Sequence, residues 1–117
     1  MKKAVGDKGE ALAVEFLLAK HYNVLHRNWR YKHLELDIIA EKDEFLVIIE
    51  VKTANSLAFG EPQEWVTSLK QKHVLAAATA YMAQTLNNRE VRFDIIAIQL
   101  SNPPQINHIP DAFNATS

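Results

Sequence analysis

The chain has 117 residues, 13 of them basic and 14 acidic for a formal net charge of -1, and no cysteine. Its length fits one domain spanning 1–117, and a mix of 48% hydrophobic and 23% charged residues is that of a folded chain rather than a disordered one. The missing cysteines exclude a disulfide framework, a thiol nucleophile and thiolate metal sites, and the near-neutral charge excludes a global field, so a polyanion must be met by a local basic patch.

Residues 7 to 20 place Ala11, Val14, Leu17 and Leu18 at helical spacing behind Asp7, a candidate N-cap with Glu10 three positions on. Asp7, Lys8, Glu10 and Glu15 interrupt the apolar run that a secretory signal needs, and no later stretch approaches the ~20 apolar residues of a membrane span. The expected location is cytoplasmic, away from membranes. VLHRNWRY and LELDIIAE then alternate polar and apolar residues at period two and read as two strands. After the polar turn Glu41–Glu44, the run FLVIIEVKT is apolar over a strand's length, the pattern of a central strand covered on both faces.

Residues 54 to 63 carry Gly60 and Pro62 and read as a loop. Residues 64 to 86 read as a long helix with Val66, Leu69, Ala76, Ala77 and Ala80 toward one side, its alanines allowing close packing on a sheet. VRFDIIAIQL gives a fourth strand, followed by a turn, a short edge strand around Ile106–Ile109 and a tail from about residue 110. The order α-β-β-β-α-β, with a short fifth strand, predicts an α/β or α+β fold with a central mixed sheet flanked by helices.

Charge placed inside apolar strands carries the functional signal. Glu50 and Lys52 lie two apart on the central strand and leave it on one face, as do Glu35 and Asp37 on the strand before it. A hairpin between these strands brings the carboxylates together where burial must be offset by pairing or metal binding. Two carboxylates ~4 Å apart repel by ~4 kcal/mol at an effective dielectric near 20, and a divalent cation between them reverses the sign. Oxygen ligands without cysteine suit magnesium or manganese, which can position a phosphodiester and lower the pKa of a water. The bland alternative is a structural ion pair between Glu50 and Lys52 with Glu35 and Asp37 on a solvated edge.

Asp37 followed by Glu50-Val51-Lys52 resembles the PD-(D/E)XK signature of restriction-endonuclease-like nucleases. GDKGEALA at 6–13, NWR at 28–30, ELD at 35–37, EVKT at 50–53, FGEP at 59–62, Leu69-Lys70, RFD at 92–94 and Ala112-Phe113 are similar to the YraN-like family of bacterial proteins, whose layout is similar to that of Holliday junction resolvases. The resemblance implies that Asp37 and Glu50 bind metal, that Lys52 is the catalytic lysine and that Glu10 reaches the site from the first helix as a further ligand. Its implied activity is Mg- or Mn-dependent endonucleolytic cleavage of DNA, on branched or otherwise structured substrates, and similar resolvases work as homodimers. Leu34 and Ala54 depart from the family's usual glycine and arginine, the latter removing a phosphate contact.

Arg30 and Lys32, with Arg27 and His33, and Lys70 and Lys72, with His73, are candidate nucleic-acid contacts competing with a reading as solvated surface. Trp29, Tyr31, Phe59 and Trp65 could stack on bases but fit core or loop packing better. The five histidines show no metal spacing, and Arg92 and Asp94 read as an ion pair. Phosphate-loop, dinucleotide and serine-hydrolase motifs are missing. A non-catalytic nucleic-acid-binding module or a protein-interaction domain are the alternatives to a nuclease.

Overall fold

A computed structural model describes the backbone of residues 2–54 and 66–114 and the side chains of residues 6–54 and 66–114. Among these residues the elements are α1 (Lys2–Ala19), β1 (Asn23–Tyr31), β2 (Leu34–Lys42), β3 (Phe45–Ala54), α2 (Ser68–Thr85), β4 (Glu90–Gln99) and β5 (Gln105–Phe113). The strands form one sheet in the order β1-β2-β3-β4-β5. Two-residue turns join β1 to β2 and β2 to β3, each helped by a left-handed residue, Lys32 (φ 56) and Asp43 (φ 55), so these neighbours are antiparallel. β3 and β4 run parallel, because the intervening α2 carries the chain back along the sheet. The fold is a mixed α/β sheet of the expected order, and no described helix is long and apolar enough to cross a membrane.

Alternation along β3 divides the core. Leu46 and Ile48 join Val74, Ala77, Ala78 and Tyr81 of α2 in one apolar cluster. Val47 and Ile49 join Ala13 and Leu17 of α1 in the other. These four β3 side chains are fully buried, which contributes roughly 1.5–3 kcal/mol for each fully enclosed aliphatic group.

The helices are rotated and bounded differently from the sequence reading. α1 starts before Asp7, which therefore lies inside it, and its buried line is Gly9, Ala13 and Leu17, while Ala11 is exposed and Leu18 is 54% exposed. Gly9 and Ala13, four residues apart, let the helix lie close to β3. A Cβ on Gly9 would overlap the Thr53 side chain. α2 starts at Ser68, where Thr67 caps it by accepting from the Lys70 N–H at 3.2 Å. Its buried face is Val74, Ala77, Ala78 and Tyr81, whereas Leu69 is 64% exposed and Ala76 is exposed. The bulk of Tyr81, packed edge-on against Trp29, sets the rotation that an alanine run leaves open.

β5 extends to Phe113, past the tail expected from about residue 110, because Phe113 stacks on Phe93 and the Asp111 N–H bonds to buried Asp94. The expected loop at 54–63 falls almost wholly outside the described residues, as do Phe59, Gly60, Pro62 and Trp65.

Candidate metal centre at the strand fork

β2 and β3 pair only from Lys42–Phe45 to Ile38–Ile49. Beyond that point the start of β2 pairs with β1 alone, through Leu36–Trp29, Glu35–Arg30 and Leu34–Tyr31, while β3 from Glu50 to Ala54 pairs with β4 alone. The two central strands thus diverge, and the first residues after the split are Asp37 and Glu50. Side-chain alternation slips here too. Leu36 and Ile39 both pack on the α2 side, while Ile38 and Ala40 face α1.

The carboxylates replace the ladder that the fork interrupts. Asp37 N–H donates to Glu50 Oε2 at 3.3 Å, and Val51 N–H donates to Asp37 Oδ2 at 2.9 Å. Each acid accepts from backbone next to the other, which fixes their mutual position. Glu50 is 3% exposed. Burial, then the neighbouring Asp37 charge, push its carboxyl from the ordinary 4.5 to about 8, against the pull of Lys70. Asp37 is raised as well, by burial first, with the Val51 hydrogen bond and Lys70 pulling it down. At neutral pH the pair therefore holds a proton, since the nearby Lys70 charge offsets only part of the cost of enclosing two carboxylates together.

Glu10 approaches from the α1 side. Burial and the Asp37 charge raise its pKa to about 7, opposed by Arg27 and the Asn28 side chain. Gly9 makes this approach possible by letting α1 close onto Thr53, three residues beyond Glu50. Among the described residues, the buried side-chain polar atoms without a hydrogen bond are Glu10 Oε1 and Glu50 Oε1. Both belong to this acidic group. Orphaned buried oxygens are costly unless something satisfies them, and a hard cation is a chemically suitable partner.

A cleft of about 380 Å³ opens over the fork, lined by Asp37, Glu50, Val51, Lys52, Val66, Thr67 and Lys70. Lys52 is exposed at its rim. The ammonium that meets Glu50 is Lys70 of α2, with Nζ 3.4 Å from Glu50 Oε1, and not Lys52 as strand geometry alone suggests. The contact is a long ion contact, and Glu50 Oε1 remains among the oxygens without a hydrogen-bond partner. Lys70 was expected on a phosphate surface; its place beside Glu50 has no sequence signal, because the two lie on separate elements. Lys32 and Lys72 are exposed, and Arg30 is held by Glu35 at 2.8 Å. Among the described residues no group of three or more acidic or histidine side chains is placed to hold a metal ion, so Glu10 does not join Asp37 and Glu50 in a three-ligand set. Asp37 and Glu50 are brought together, with Glu10 within electrostatic reach of Asp37. Two carboxylates are nevertheless the usual protein share for magnesium, which keeps waters or substrate oxygens in its remaining positions.

A sequence profile of the uncharacterised protein family UPF0102 matches residues 9–98, which include Glu10, Asp37, Glu50, Lys52 and Lys70. The chain belongs to UPF0102. A UPF0102 protein of Geotalea daltonii is 45% identical over 115 residues, covering 96% of this chain and 91% of the relative. Relatives in Flavobacterium psychrophilum and Bacteroides thetaiotaomicron are 43% and 44% identical over 110 residues, covering 93% of this chain and 92% and 91% of their own. Family membership thus extends across the described fold, both strands of the fork and the helix residues that flank it.

A second buried polar group in this UPF0102 chain has a different character. Asp94 is fully buried on the α1 side of β4 and receives both Arg92 nitrogens at 2.9 and 2.8 Å and the Asp111 N–H at 3.0 Å, with His108 Nε2 at 2.7 Å. Arg92 also donates to the Tyr22 hydroxyl at 2.7 Å. Burial favours protonation of Asp94, but the hydrogen bonds from His108, Arg92 and Asp111 outweigh it and hold the pKa below the ordinary value. Both oxygens are satisfied, so this is the expected Arg92–Asp94 ion pair extended by His108.

Proposed function

We propose that this UPF0102 protein is a cytoplasmic, magnesium- or manganese-dependent endonuclease that hydrolyses phosphodiester bonds in DNA, with structured or branched DNA as the preferred class. The observation that carries the reading is the interlocked Asp37–Glu50 pair, buried at a strand fork and open to a cleft. Its nearby orphan oxygens fit a hard divalent cation. Asp37 and Glu50 would hold the cation, with Glu10 supporting them from α1. Such a cation supplies charge stabilisation at a phosphoryl oxygen and a lowered pKa for an attacking water.

The chain's own groups suit the remaining demands. Lys52, at the rim, offers an ammonium to the negative charge that grows on the phosphate during attack. Glu10 can take up or release a proton near neutral pH as the charge on Asp37 changes. Lys32 and Lys72 provide local positive charge for a backbone of opposite sign. The resemblance to PD-(D/E)XK nucleases supports giving Asp37, Glu50 and Lys52 these roles.

The test is cleavage of single-stranded, duplex and junction DNA with magnesium or manganese, comparing wild type with Asp37→Ala and Lys52→Ala. Wild type should cut, Asp37→Ala should lose metal binding and cutting together, and Lys52→Ala should retain the metal but lose at least about a hundredfold in rate. Equal cutting by all three proteins rejects the assignment. DNA binding that survives Asp37→Ala, with no cleavage by wild type, would identify a binding module instead.

A further inference from the structure

Among the described residues, buried Asp94 and buried Glu50 meet their cations in different ways. Arg92 grips Asp94 through two short hydrogen bonds, and its side chain is only 17% exposed. Lys70 meets Glu50 through one 3.4 Å contact, its side chain is 46% exposed, and the Glu50 oxygen it faces has no hydrogen bond. Charge-assisted bonds that lock a structure are normally 2.7–2.9 Å long and, for arginine, often bidentate. Lysine is a compact charge on a flexible stem and can leave at less geometric cost.

The position of Lys70 in its helix is also informative. It lies in the first turn of α2, three residues after the Thr67 cap, at the positive end of the helix dipole where a cation is disfavoured. Nothing in α2 itself favours a lysine there. The compensating charge comes from across the cleft, where Lys70 acts electrostatically on both Asp37 and Glu50.

We propose that Lys70 is a displaceable counter-ion, neutralising the Asp37–Glu50 pair when no divalent cation is bound and moving aside when one enters. This rests on the cation reading of the site and adds a prediction that reading does not make. Because ammonium and metal compete for the same carboxylates, removing the lysine charge strengthens metal binding. A lysine that merely buttresses the site gives the opposite result, since its loss loosens the ligands.

The experiment measures manganese binding without DNA, by calorimetry and by the electron paramagnetic resonance of free manganese, on wild type, Lys70→Met and Lys70→Arg. Methionine keeps the length of the stem without the charge, and arginine keeps the charge but can grip a carboxylate with two bonds. The expected order of affinity is Lys70→Met, then wild type, then Lys70→Arg. The first step is on the order of tenfold, the repulsion of a divalent ion by one charge a few ångströms away in a solvated cleft. Thermal melting supplies a second readout: Lys70→Met melts below wild type in chelator, and saturating manganese closes the gap. Wild type binding manganese as tightly as, or more tightly than, Lys70→Met overturns the counter-ion role and leaves the metal site standing. Failure of all three proteins to bind overturns both.

Discussion

Glu50→Gln should make the metal-free protein more stable in alkali, although it removes a charged residue from the centre of the candidate site. Glu50 titrates near 8 when folded, against an ordinary 4.5, mainly because burial and Asp37 disfavour its charge. Between those values the folded state binds more protons than the unfolded state, so stability falls as pH rises. The contribution of the raised pKa is fully present below about 4.5 and is lost as pH passes through about 8. Each unit in that window corresponds to ~1.4 kcal/mol, so wild type should lose on the order of 2 to 3 kcal/mol from this group between about pH 6 and about pH 9. Glutamine is neutral throughout and can still accept the Asp37 N–H bond, so the variant should keep most of that stability. Urea denaturation in chelator, repeated across this range, compares the two slopes. Manganese should then stabilise wild type and not the variant, reversing their order at high pH. Parallel pH profiles, or a variant less stable than wild type at about pH 9, would refute the claim that Glu50 is held protonated by burial beside Asp37.

Gly9→Ala ordinarily stabilises a helix by up to about 1 kcal/mol, but here the added Cβ meets Thr53, so urea melts should show a loss of about 1 to 3 kcal/mol that Thr53→Ala largely relieves. Metal affinity should weaken in the same variant, because lifting α1 withdraws Glu10. Arg92→Ala should cost about 3 to 5 kcal/mol by stripping a buried carboxylate of its main partner, measured by chemical denaturation near neutral pH. Asp94 titrates below its ordinary 3.8, so its contribution is complete above that pH and disappears as pH falls through the lower folded value. Asp94→Asn should accordingly flatten the acid limb of the stability profile.

Much of this arrangement is legible in the sequence because strands write their geometry at period two. The FLVIIEVKT run marks a strand covered on both faces, and β3 occupies the middle of the sheet. The two-residue separation of Arg92 from Asp94 reads correctly as a shared strand face, where the two side chains are bonded. Helix faces were less legible. α2 is rich in alanine, so apolar spacing does not distinguish the side holding Ala77 from the side holding Ala76, and Tyr81 decides the matter through packing against Trp29, far away in the chain. In α1 the informative residue is Gly9, which gives no apolar signal of its own. Its role depends on Thr53, and only tertiary proximity reveals that.

The fork itself has no local signature. Continuous pairing of β2 with β3 would leave Asp37 and Glu50 opposite one another in register. Where the strands diverge, the Asp37 N–H donates to the Glu50 carboxylate and the Val51 N–H to the Asp37 carboxylate. The same split lets a cleft reach the pair while Leu46, Val47, Ile48 and Ile49 of β3 remain enclosed. Glu10 and Lys70, from helices on opposite sides of the sheet, consequently act on one acidic centre. A sheet that stayed zipped would keep those helices' charges apart, so the strand separation is the structural step that turns scattered acidic and basic residues into a site able to hold a cation.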